Sequence, residues 1–339
     1  MTALEPETLL SLREAPPSGL VQPLEVSYAV VTWNSGRWIE RCLRAIPAAS
    51  PGVTYQVLIC DNASADDTLE RVDHFLSDTV EHEAGQAAIE HVVIRRAGND
   101  GFAAGINRLA TLSPARYLFL LNPDCELSPE ALTRLRDFLD AHPDVAAAAP
   151  LLTHENGDDQ REFQLRKLPT LRSLALEVLL HRSTDRYPRL DLTNPQPIEQ
   201  PAAAALLIRR EVFEELGALD EQFAPAWFED VDFCRRLARA GKLVYVVPAA
   251  GARHFGGASL EHMTFEQFTD IWYHNMWRYA VKWMSSGQAE TLRWVLIAGM
   301  LMRCGAALAG AAHPEVGRWA ALRAYAAVLG KAFHRWESR

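Results

Sequence analysis

Apolar, β-rich segments alternate with helix-like segments over the first 142 residues, and this rhythm most constrains the fold. The strand-like segments are VSYAVVTW (26–33), YQVLICD (55–61), IEHVVIRR (89–96) and RYLFLLNP (116–123). The helix-like segments are residues 37–46, 66–76, 101–112 and 128–142. Such alternation is typical of a parallel sheet covered by helices on both faces. We therefore predict an α/β fold with a mostly parallel central sheet.

Polar side chains stand where each predicted strand ends. In chain order they are Thr32 and Asn34, Asp61 and Asn62, Asp100, and Asp124. Ligands of parallel sheets bind at the carboxyl ends of the strands, so four polar ends in succession predict a ligand site there. The first strand is followed by TWNSGRW rather than GxGxxG, and the chain contains no GxxxxGK[ST] motif. A glycine-rich phosphate loop is therefore not expected.

Asp124 ends an apolar run in LFLLNPDCEL (118–127), where position 122 is asparagine and position 126 is glutamate. The local sequence leaves open whether Asp124 is half of a metal site or only the polar end of a strand. His254, in RHFGG (253–257), also stands at a predicted strand end. A lone histidine is more often structural, but imidazole together with carboxylate oxygen suits Mn²⁺ or Mg²⁺ when a diphosphate completes the shell.

Three acids open a predicted helix in WFEDVDFCRRL (227–237): Glu229, Asp230 and Asp232. The helix dipole favours acids at this end and accounts for one or two of them. Crowded carboxylates raise the pKa of one member, which suits a general base. We favour the catalytic interpretation.

The overall charge and the cysteines narrow the class of protein. A net charge of −9 argues against a general nucleic-acid binder. Five scattered cysteines without a CxxC spacing predict neither a disulfide framework nor a structural zinc site, and fit a reducing compartment. The first 19 residues lack the basic start and apolar run of a signal peptide. A cytoplasmic location is expected.

The C-terminal part of the chain is basic. From Arg278 onward, nine Lys/Arg face three Glu, which gives +6 and leaves −15 for the rest. Residues 291–312 are apolar but contain Arg303 in the middle, which disfavours a membrane span. In the next predicted helix one face carries Trp319, Leu322, Leu329, Phe333 and Trp336, and the other Arg323, Lys331 and Arg335. This helix either lies on a membrane surface or packs on its own domain.

Taken together, these segments resemble family 2 glycosyltransferases with the GT-A fold. The resemblance rests on VVTWNSGRWIERCLRAI, VLICDNASADDT, NDGFAAGIN, YLFLLNPDCEL, AAAALLIRREVFEELGALDEQF and FEDVDFCRRLARAGKLVYVVPAAGARHFGG, in that order. It covers about residues 25–260 and looks most like the bacterial rhamnosyltransferase branch. It implies a nucleotide-binding sheet flanked by helices, with a helical C-terminal extension.

The resemblance also implies residue roles. Thr32, Asn34, Asp61 and Asn62 would line the nucleoside pocket, with Asp61 on the pyrimidine. Asp100, Gly101, Phe102, Asn107 and Asn122 would complete the donor-binding residues. Asp124 would be the metal-binding acid of a DxD-type motif, although Asn122 replaces the first acid. His254 would face the metal, Mn²⁺ or Mg²⁺, and Asp230 would be the base.

The implied domains are a flexible arm (1–24), a transferase domain (25–260, divided at 125/126) and a basic helical extension (261–339). The implied function is inverting transfer of L-rhamnose from dTDP-L-rhamnose to a glycan or polyprenyl-diphosphate-linked saccharide in cell-envelope polysaccharide synthesis. The enzyme would work in the cytoplasm, peripheral to the inner face of the plasma membrane, with no nucleic-acid partner.

Three alternatives remain. The donor could be a UDP- or GDP-sugar. A sugar-nucleotide nucleotidyltransferase would need a glycine- and Lys/Arg-rich loop in place of TWNSGRW. A non-catalytic sugar-nucleotide-binding protein would not need Asp124, Asp230 and His254.

Overall fold

The computed structural model describes residues 8–11, 23–82, 91–180, 187–188, 190–256, 262–310 and 316–336. The chain divides into two compact units. The first comprises residues 1–166, 189–225 and 229–259, and the second residues 167–188, 226–228 and 260–339. The boundaries inferred from sequence stay predictions, although the second unit includes the whole range 261–339 of the expected C-terminal extension.

The strands of the described residues all belong to the first unit. They are β1 (Thr8–Ser11), β2 (Val26–Thr32), β3 (Tyr55–Asp61), β4 (His91–Arg95), β5 (Tyr117–Leu121), β6 (Cys125–Leu127), β7 (Val145–Thr153), β8 (Leu165–Arg166), β9 (Gln196–Pro197), β10 (Gln200–Pro201), β11 (Ala205–Arg209) and β12 (Leu243–His254). Strand β1 lies within the predicted N-terminal arm, and the rest of that arm up to residue 22 lies outside the described residues.

The helices of the described residues are divided between the two units. They are α1 (Gly36–Ala49), α2 (Thr68–His82), α3 (Phe102–Ala110), α4 (Ala131–Ala141), α5 (Arg161–Gln164), α6 (Leu171–Leu180), α7 (Arg210–Glu215), α8 (Glu229–Arg239), α9 (Phe265–Trp283), α10 (Ser286–Leu308) and α11 (Arg318–Phe333). Helices α6, α9, α10 and α11 belong to the second unit, and the others to the first.

The main sheet has the strand order β1-β4-β3-β2-β5-β11-β7-β12-β6, with β9 beside β12. Strands β2, β3, β4 and β5 run parallel, and β7 runs parallel to β12. Strand β11 is antiparallel to both of its neighbours and joins these two parallel groups. The predicted α/β fold is confirmed, and the antiparallel insertion of β11 is a feature that the sequence rhythm did not reveal.

Both faces of the main sheet carry a hydrophobic layer. Strand β2 shows why: Val26, Tyr28 and Val30 point into one layer, and Ala29 and Val31 into the other. This follows from the alternation of side chains along a strand. Helices α1, α2 and α4 cover the first layer, and α3, α7 and α8 cover the second. The core holds the carboxyl ends of the parallel strands β2 to β5 on the same side of the sheet.

The second unit is helical. Both α9 and α10 begin with a capping box, formed by Thr264 with Gln267 and by Ser285 with Gln288. Among the described residues, α10 alone is long and apolar enough to cross a membrane, judged by length and composition only.

Helix α11 packs through small residues rather than through the aromatic face predicted from sequence. Its buried side chains are Ala321, Ala324, Val328 and Ala332. Trp319 and Phe333 are exposed, whereas Trp336 is buried and stacks on Trp277. The helix therefore packs within its own unit through these small residues, and the predicted aromatic face remains partly exposed at Trp319 and Phe333.

Candidate active site

Strands β2 and β3 bring Thr32 and Asp61 side by side, because they are partners in the parallel register. The Thr32 hydroxyl donates to Asp61 Oδ1 at 2.8 Å. Ser64 donates its backbone N–H to Oδ2 at 3.0 Å and its hydroxyl to Oδ1 at 2.5 Å. The Asn34 backbone N–H in turn donates to the Ser64 hydroxyl oxygen at 2.8 Å. Asp61 is thus a fully buried carboxylate held by hydroxyl and backbone donors.

Asn62 offers a free acceptor beside this carboxylate. Its side-chain Nδ2 donates to the Gly101 carbonyl at 3.1 Å. Its Oδ1 is buried and has no hydrogen-bond partner among the residues that the structure describes. A buried acceptor without a partner costs free energy unless a ligand supplies the donor. The structure therefore brings Thr32, Asn34, Asp61 and Asn62 together. Their role in lining a nucleoside pocket stays a prediction.

Gly101 begins α3 in a backbone conformation that side chains rarely adopt, with φ 94° and ψ 172°. A Cβ at this position would lie 2.7 Å from the Pro225 carbonyl oxygen. The next residue, Phe102, donates its N–H to the same carbonyl at 2.9 Å. Only glycine allows this close approach between the start of α3 and the segment before α8.

We expect Gly101→Ala to lower the free energy of unfolding by about 2 to 4 kcal/mol, from backbone strain and the clash with Pro225. Gly98→Ala is the matched control, because a Cβ there meets nothing within 4 Å. The control should stay within about 0.5 kcal/mol of the wild type in urea denaturation. Equal effects of the two substitutions would show that the close approach at Gly101 is not needed.

Two other predicted donor residues make contacts inside the protein. The Asp100 carboxylate pairs with Arg96. The Asn107 side chain accepts from the Leu219 N–H at 2.9 Å and donates to the Leu219 carbonyl at 2.8 Å and to Glu221 at 2.9 Å. Asn107 thus fastens α3 to the turn before α8, and its donor contact stays a prediction.

Asp124 and His254 form a buried pair where β6 and β12 meet. His254 Nε2 lies 3.5 Å from Asp124 Oδ1, and the two side chains are 5–6% exposed. The antiparallel register places His254 opposite Cys125. The ligand atoms of Asp124, Cys125 and His254 lie within 4.8 Å of one another. The partner of Asp124 is therefore a residue far along the chain.

Gln160 orients the imidazole of His254. Its Oε1 lies 2.8 Å from His254 Nδ1, and its Nε2 donates to the His254 carbonyl at 2.6 Å. Because Oε1 is an acceptor, Nδ1 donates to it, and Nε2 is the ring nitrogen that faces Asp124. Nε2 is therefore the atom that would bind a metal. Gln160 lies in an irregular segment, and nothing in its local sequence signals the role.

Cys125 is less suited to the metal. Burial, followed by the Asp124 carboxylate, raises the pKa of its thiol well above the usual range. The thiol donates to the Ala204 carbonyl at 3.3 Å. A protonated thiol is not a ligand, and a carboxylate with an imidazole suits Mn²⁺ or Mg²⁺. The residues present fit such an ion with two protein ligands.

Glu126 does not join the pair. Its Oε2 lies 3.0 Å from Arg41 and 3.6 Å from Arg253. Asn122 stands in the turn between β5 and β6, where its N–H donates to the Ala204 carbonyl at 2.8 Å and its carbonyl accepts from the Cys125 N–H. Glu126 is therefore paired with two arginines. Asp124, two residues before it, belongs to the group that could hold a metal ion.

The three acids of α8 have different surroundings. Asp232 is fully buried and pairs with Arg236 at 2.9 Å. Asp230 is half-buried, and its Oδ2 accepts from the Ala203 N–H at 3.4 Å. Ala203 precedes Ala204, whose carbonyl holds the turn of Asp124. One short segment thus connects the helix with Asp230 to the turn with Asp124.

Glu229 is the acid of α8 whose carboxyl pKa is raised. Burial, followed by the charge of Asp230, raises its carboxyl pKa well above the usual value of 4.5. Its Oε2 is buried and has no partner within the described part of the chain. The expected rise in the pKa of one member of the cluster is confirmed, and it falls on Glu229. Glu229 therefore binds its proton more tightly than an ordinary glutamate does.

Glu229→Gln is expected to change how stability depends on pH. The folded protein keeps a proton on Glu229 that the unfolded chain releases above its ordinary pKa. The wild type therefore loses stability as pH rises above about 4.5, by at most about 1.4 kcal/mol per pH unit for this group. Glutamine is neutral in both states and removes this loss. In urea denaturation, the variant should gain on the wild type between pH 5 and pH 8; an unchanged difference would contradict a neutral Glu229.

The carboxyl end of β3 thus carries the buried Asp61, and the turn after β5 carries Asp124, which is paired with His254. The family model Glycosyl transferase family 2 matches residues 27–217. The chain belongs to this family, and it is a glycosyltransferase.

Named relatives refine this picture. The N-acetylglucosaminyl-diphospho-decaprenol L-rhamnosyltransferase of Mycobacterium tuberculosis H37Rv is 24% identical over 80% of this chain and 93% of its own length. Rhamnosyltransferase WbbL of Escherichia coli K12 is 23% identical over 59% of this chain and 73% of its own length. The mannosyltransferase PcManGT from Pyrobaculum calidifontis, solved with GDP-Man and Mn²⁺, superposes with a TM-score of 0.54. It is 16% identical, and the superposition covers 96% of this chain and 91% of that one. The structural likeness supports the predicted GT-A fold.

Proposed function

We propose that this chain transfers L-rhamnose from dTDP-L-rhamnose to a saccharide on a polyprenyl diphosphate, in the synthesis of a cell-envelope polysaccharide. The observation that carries the proposal is the half-buried Asp230, whose helix is connected through Ala203 and Ala204 to the turn of Asp124. Its neighbour Glu229 has a raised carboxyl pKa. The donor sugar and the acceptor follow the names of the bacterial relatives.

The nucleoside would bind against Asp61 and Asn62. A thymine base presents one N–H donor between two carbonyl acceptors. The buried Oδ1 of Asn62, which lacks a partner in the described chain, is suited to accept from such a donor. Asp61, predicted to contact the pyrimidine, lies beside it with both oxygens held in place. The remaining donor contacts are proposed for Thr32, Asn34, Asp100, Gly101, Phe102, Asn107 and Asn122.

Asp124 and His254 would hold Mn²⁺ or Mg²⁺ together with the diphosphate of the donor. When bound, such an ion stabilises the negative charge of the departing nucleoside diphosphate. The chain's contribution is a buried carboxylate and an imidazole whose orientation Gln160 fixes. With two protein ligands, several coordination positions remain for phosphate oxygens and water.

Asp230 would accept the proton of the acceptor hydroxyl as its oxygen attacks the anomeric carbon. The C–O bond to the diphosphate breaks as the new glycosidic bond forms, so one displacement inverts the anomeric centre. A β-linked donor then gives an α-L-rhamnoside. The raised pKa of Glu229 disfavours a second negative charge beside Asp230.

The proposed place of action is the inner face of the plasma membrane, where a lipid-linked acceptor would be found. The chain would act there as a peripheral protein, through its basic helical extension. Its net charge of +6 from Arg278 onward favours an anionic surface.

A donor panel tests the proposal. The protein is incubated with dTDP-L-rhamnose, UDP-GlcNAc and GDP-mannose, each with Mn²⁺ or Mg²⁺ and GlcNAc-diphospho-polyprenol, and release of nucleoside diphosphate is measured. We expect acceptor-dependent release from dTDP-L-rhamnose, lost with EDTA. Faster turnover of a UDP- or GDP-sugar would reassign the donor, and activity unaffected by EDTA would remove the metal.

A further inference from the structure

One face of α10 is exposed, apolar and continuous. The positions on this face are Gly287, Thr291, Trp294, Ala298, Leu301, Met302, Gly305 and Leu308, here named the α10 stripe, and all are exposed. Its large side chains are 53–63% exposed: Trp294, Leu301, Met302 and Leu308. None of its members is charged. From Thr291 to Leu308 the stripe extends for about 26 Å. On ordinary surfaces, exposed hydrophobic residues are scattered singly and do not form such a row.

The opposite face of α10 is committed to its own unit. Leu292, Leu296 and Met300 are fully buried. The Arg303 guanidinium donates to the Val178 carbonyl in α6 at 2.7 Å, and Arg293 donates to the Ala332 carbonyl in α11 at 3.1 Å. A helix that is bound on one side in this way cannot be surrounded by lipid without losing these contacts. The length of α10 therefore does not make it a membrane span, and its free side is the one to explain.

The helices of the unit that carries the stripe are cationic. Between residues 278 and 336, Glu290 is the only acid among the described residues, against eight Lys/Arg. Glu290 is itself paired with Arg293 and lies 3.8 Å from Arg335. Arg318 and Arg323 of α11 are exposed, and Arg318 lies over the exposed Trp319. An apolar stripe within a cationic unit matches an anionic lipid surface, whereas a second copy would bring like charges together.

We propose that the α10 stripe seats this protein on an anionic membrane, with α10 lying in the plane of the interface. Trp294, Leu301, Met302 and Leu308 enter the boundary between headgroups and acyl chains. This rests on the proposed function, since a lipid-linked acceptor lies in such a membrane. It assigns the contact to α10, and not to the aromatic face of α11, whose Trp336 is buried within the unit.

Vesicle flotation tests this assignment. The full chain is mixed with vesicles of phosphatidylcholine and phosphatidylglycerol at 3:1, with and without Leu301→Glu combined with Met302→Glu. We expect the wild type to float and the double variant to bind at least about tenfold more weakly, because two carboxylates enter the apolar boundary. Leu243→Glu is the matched control, since Leu243 is 40% exposed in the first unit, and it should float like the wild type.

Three results would overturn the proposal. The first is a wild type that does not float, and the second is a double variant that floats as the wild type does. The third is a wild-type dimer in light scattering that becomes monomeric in the double variant, which would assign the stripe to a second copy. Donor turnover with a water-soluble acceptor analogue should be equal in both proteins. If neither shows turnover, the proposed function fails while the flotation result stands on its own.

Discussion

Asp230→Asn is expected to lower kcat by about 10²- to 10⁴-fold, with little change in the KM for the donor. Asparagine has nearly the same size, and its Oδ1 can still accept the Ala203 N–H. It cannot accept the proton of the acceptor hydroxyl. The fold should therefore remain while the chemical step slows. Initial rates of nucleoside diphosphate release, with saturating acceptor, measure the effect.

Glu229→Gln is the matched control, one residue away. Because Glu229 is held neutral by burial and by the charge of Asp230, which together raise its pKa, glutamine reproduces its charge state. Its kcat should stay within about tenfold of the wild type, far above that of Asp230→Asn. Wild-type turnover by Asp230→Asn would contradict the assignment. A collapse of kcat in Glu229→Gln alone would transfer the role of base to Glu229.

Asp124→Asn is expected to weaken Mn²⁺ binding in the presence of nucleoside diphosphate by at least about 100-fold, since even partners of metal ligands contribute 10- to 100-fold. The substitution removes the negative charge that faces His254 Nε2 at 3.5 Å. The readout is free Mn²⁺ by electron paramagnetic resonance, which does not depend on turnover. Donor turnover should fall with it.

Glu126→Gln serves as the control for Asp124→Asn. Glu126 stands two residues away but pairs with Arg41 and Arg253. The Mn²⁺ affinity of Glu126→Gln should equal that of the wild type. The affinity of Gln160→Ala should lie between those of Glu126→Gln and Asp124→Asn, because this substitution only releases the imidazole of His254. If Glu126→Gln and Asp124→Asn weaken Mn²⁺ equally, Glu126 is a ligand. If neither does, the metal lies elsewhere.

The parallel core and the meeting of Thr32 with Asp61 were predictable from the sequence, because both depend on local patterns. Strand β2 alternates between two hydrophobic layers, and Thr32 and Asp61 follow directly from neighbouring parallel strands. The polar ends therefore had to meet at one edge.

The long-range partners were not predictable. Strand β11 enters the sheet antiparallel between β5 and β7, a pairing that joins segments distant in sequence. Gln160 reaches His254 across 94 residues, from a segment with no periodic pattern. The neutral state of Glu229 depends on how deeply it is buried beside Asp230, which spacing alone does not give. In α11 the buried side chains are three alanines and one valine, and not the larger aromatic residues of the predicted face.

The product of the transfer reaction tests the central claim most directly. The protein is incubated with dTDP-β-L-rhamnose, Mn²⁺ and GlcNAc-diphospho-polyprenol, and the anomeric configuration of the product is measured by NMR. We predict an α-L-rhamnoside, formed in equal amount to the dTDP released and absent with Asp230→Asn. A β-L-rhamnoside, or free rhamnose with no linked product, would contradict a single displacement with Asp230 as base.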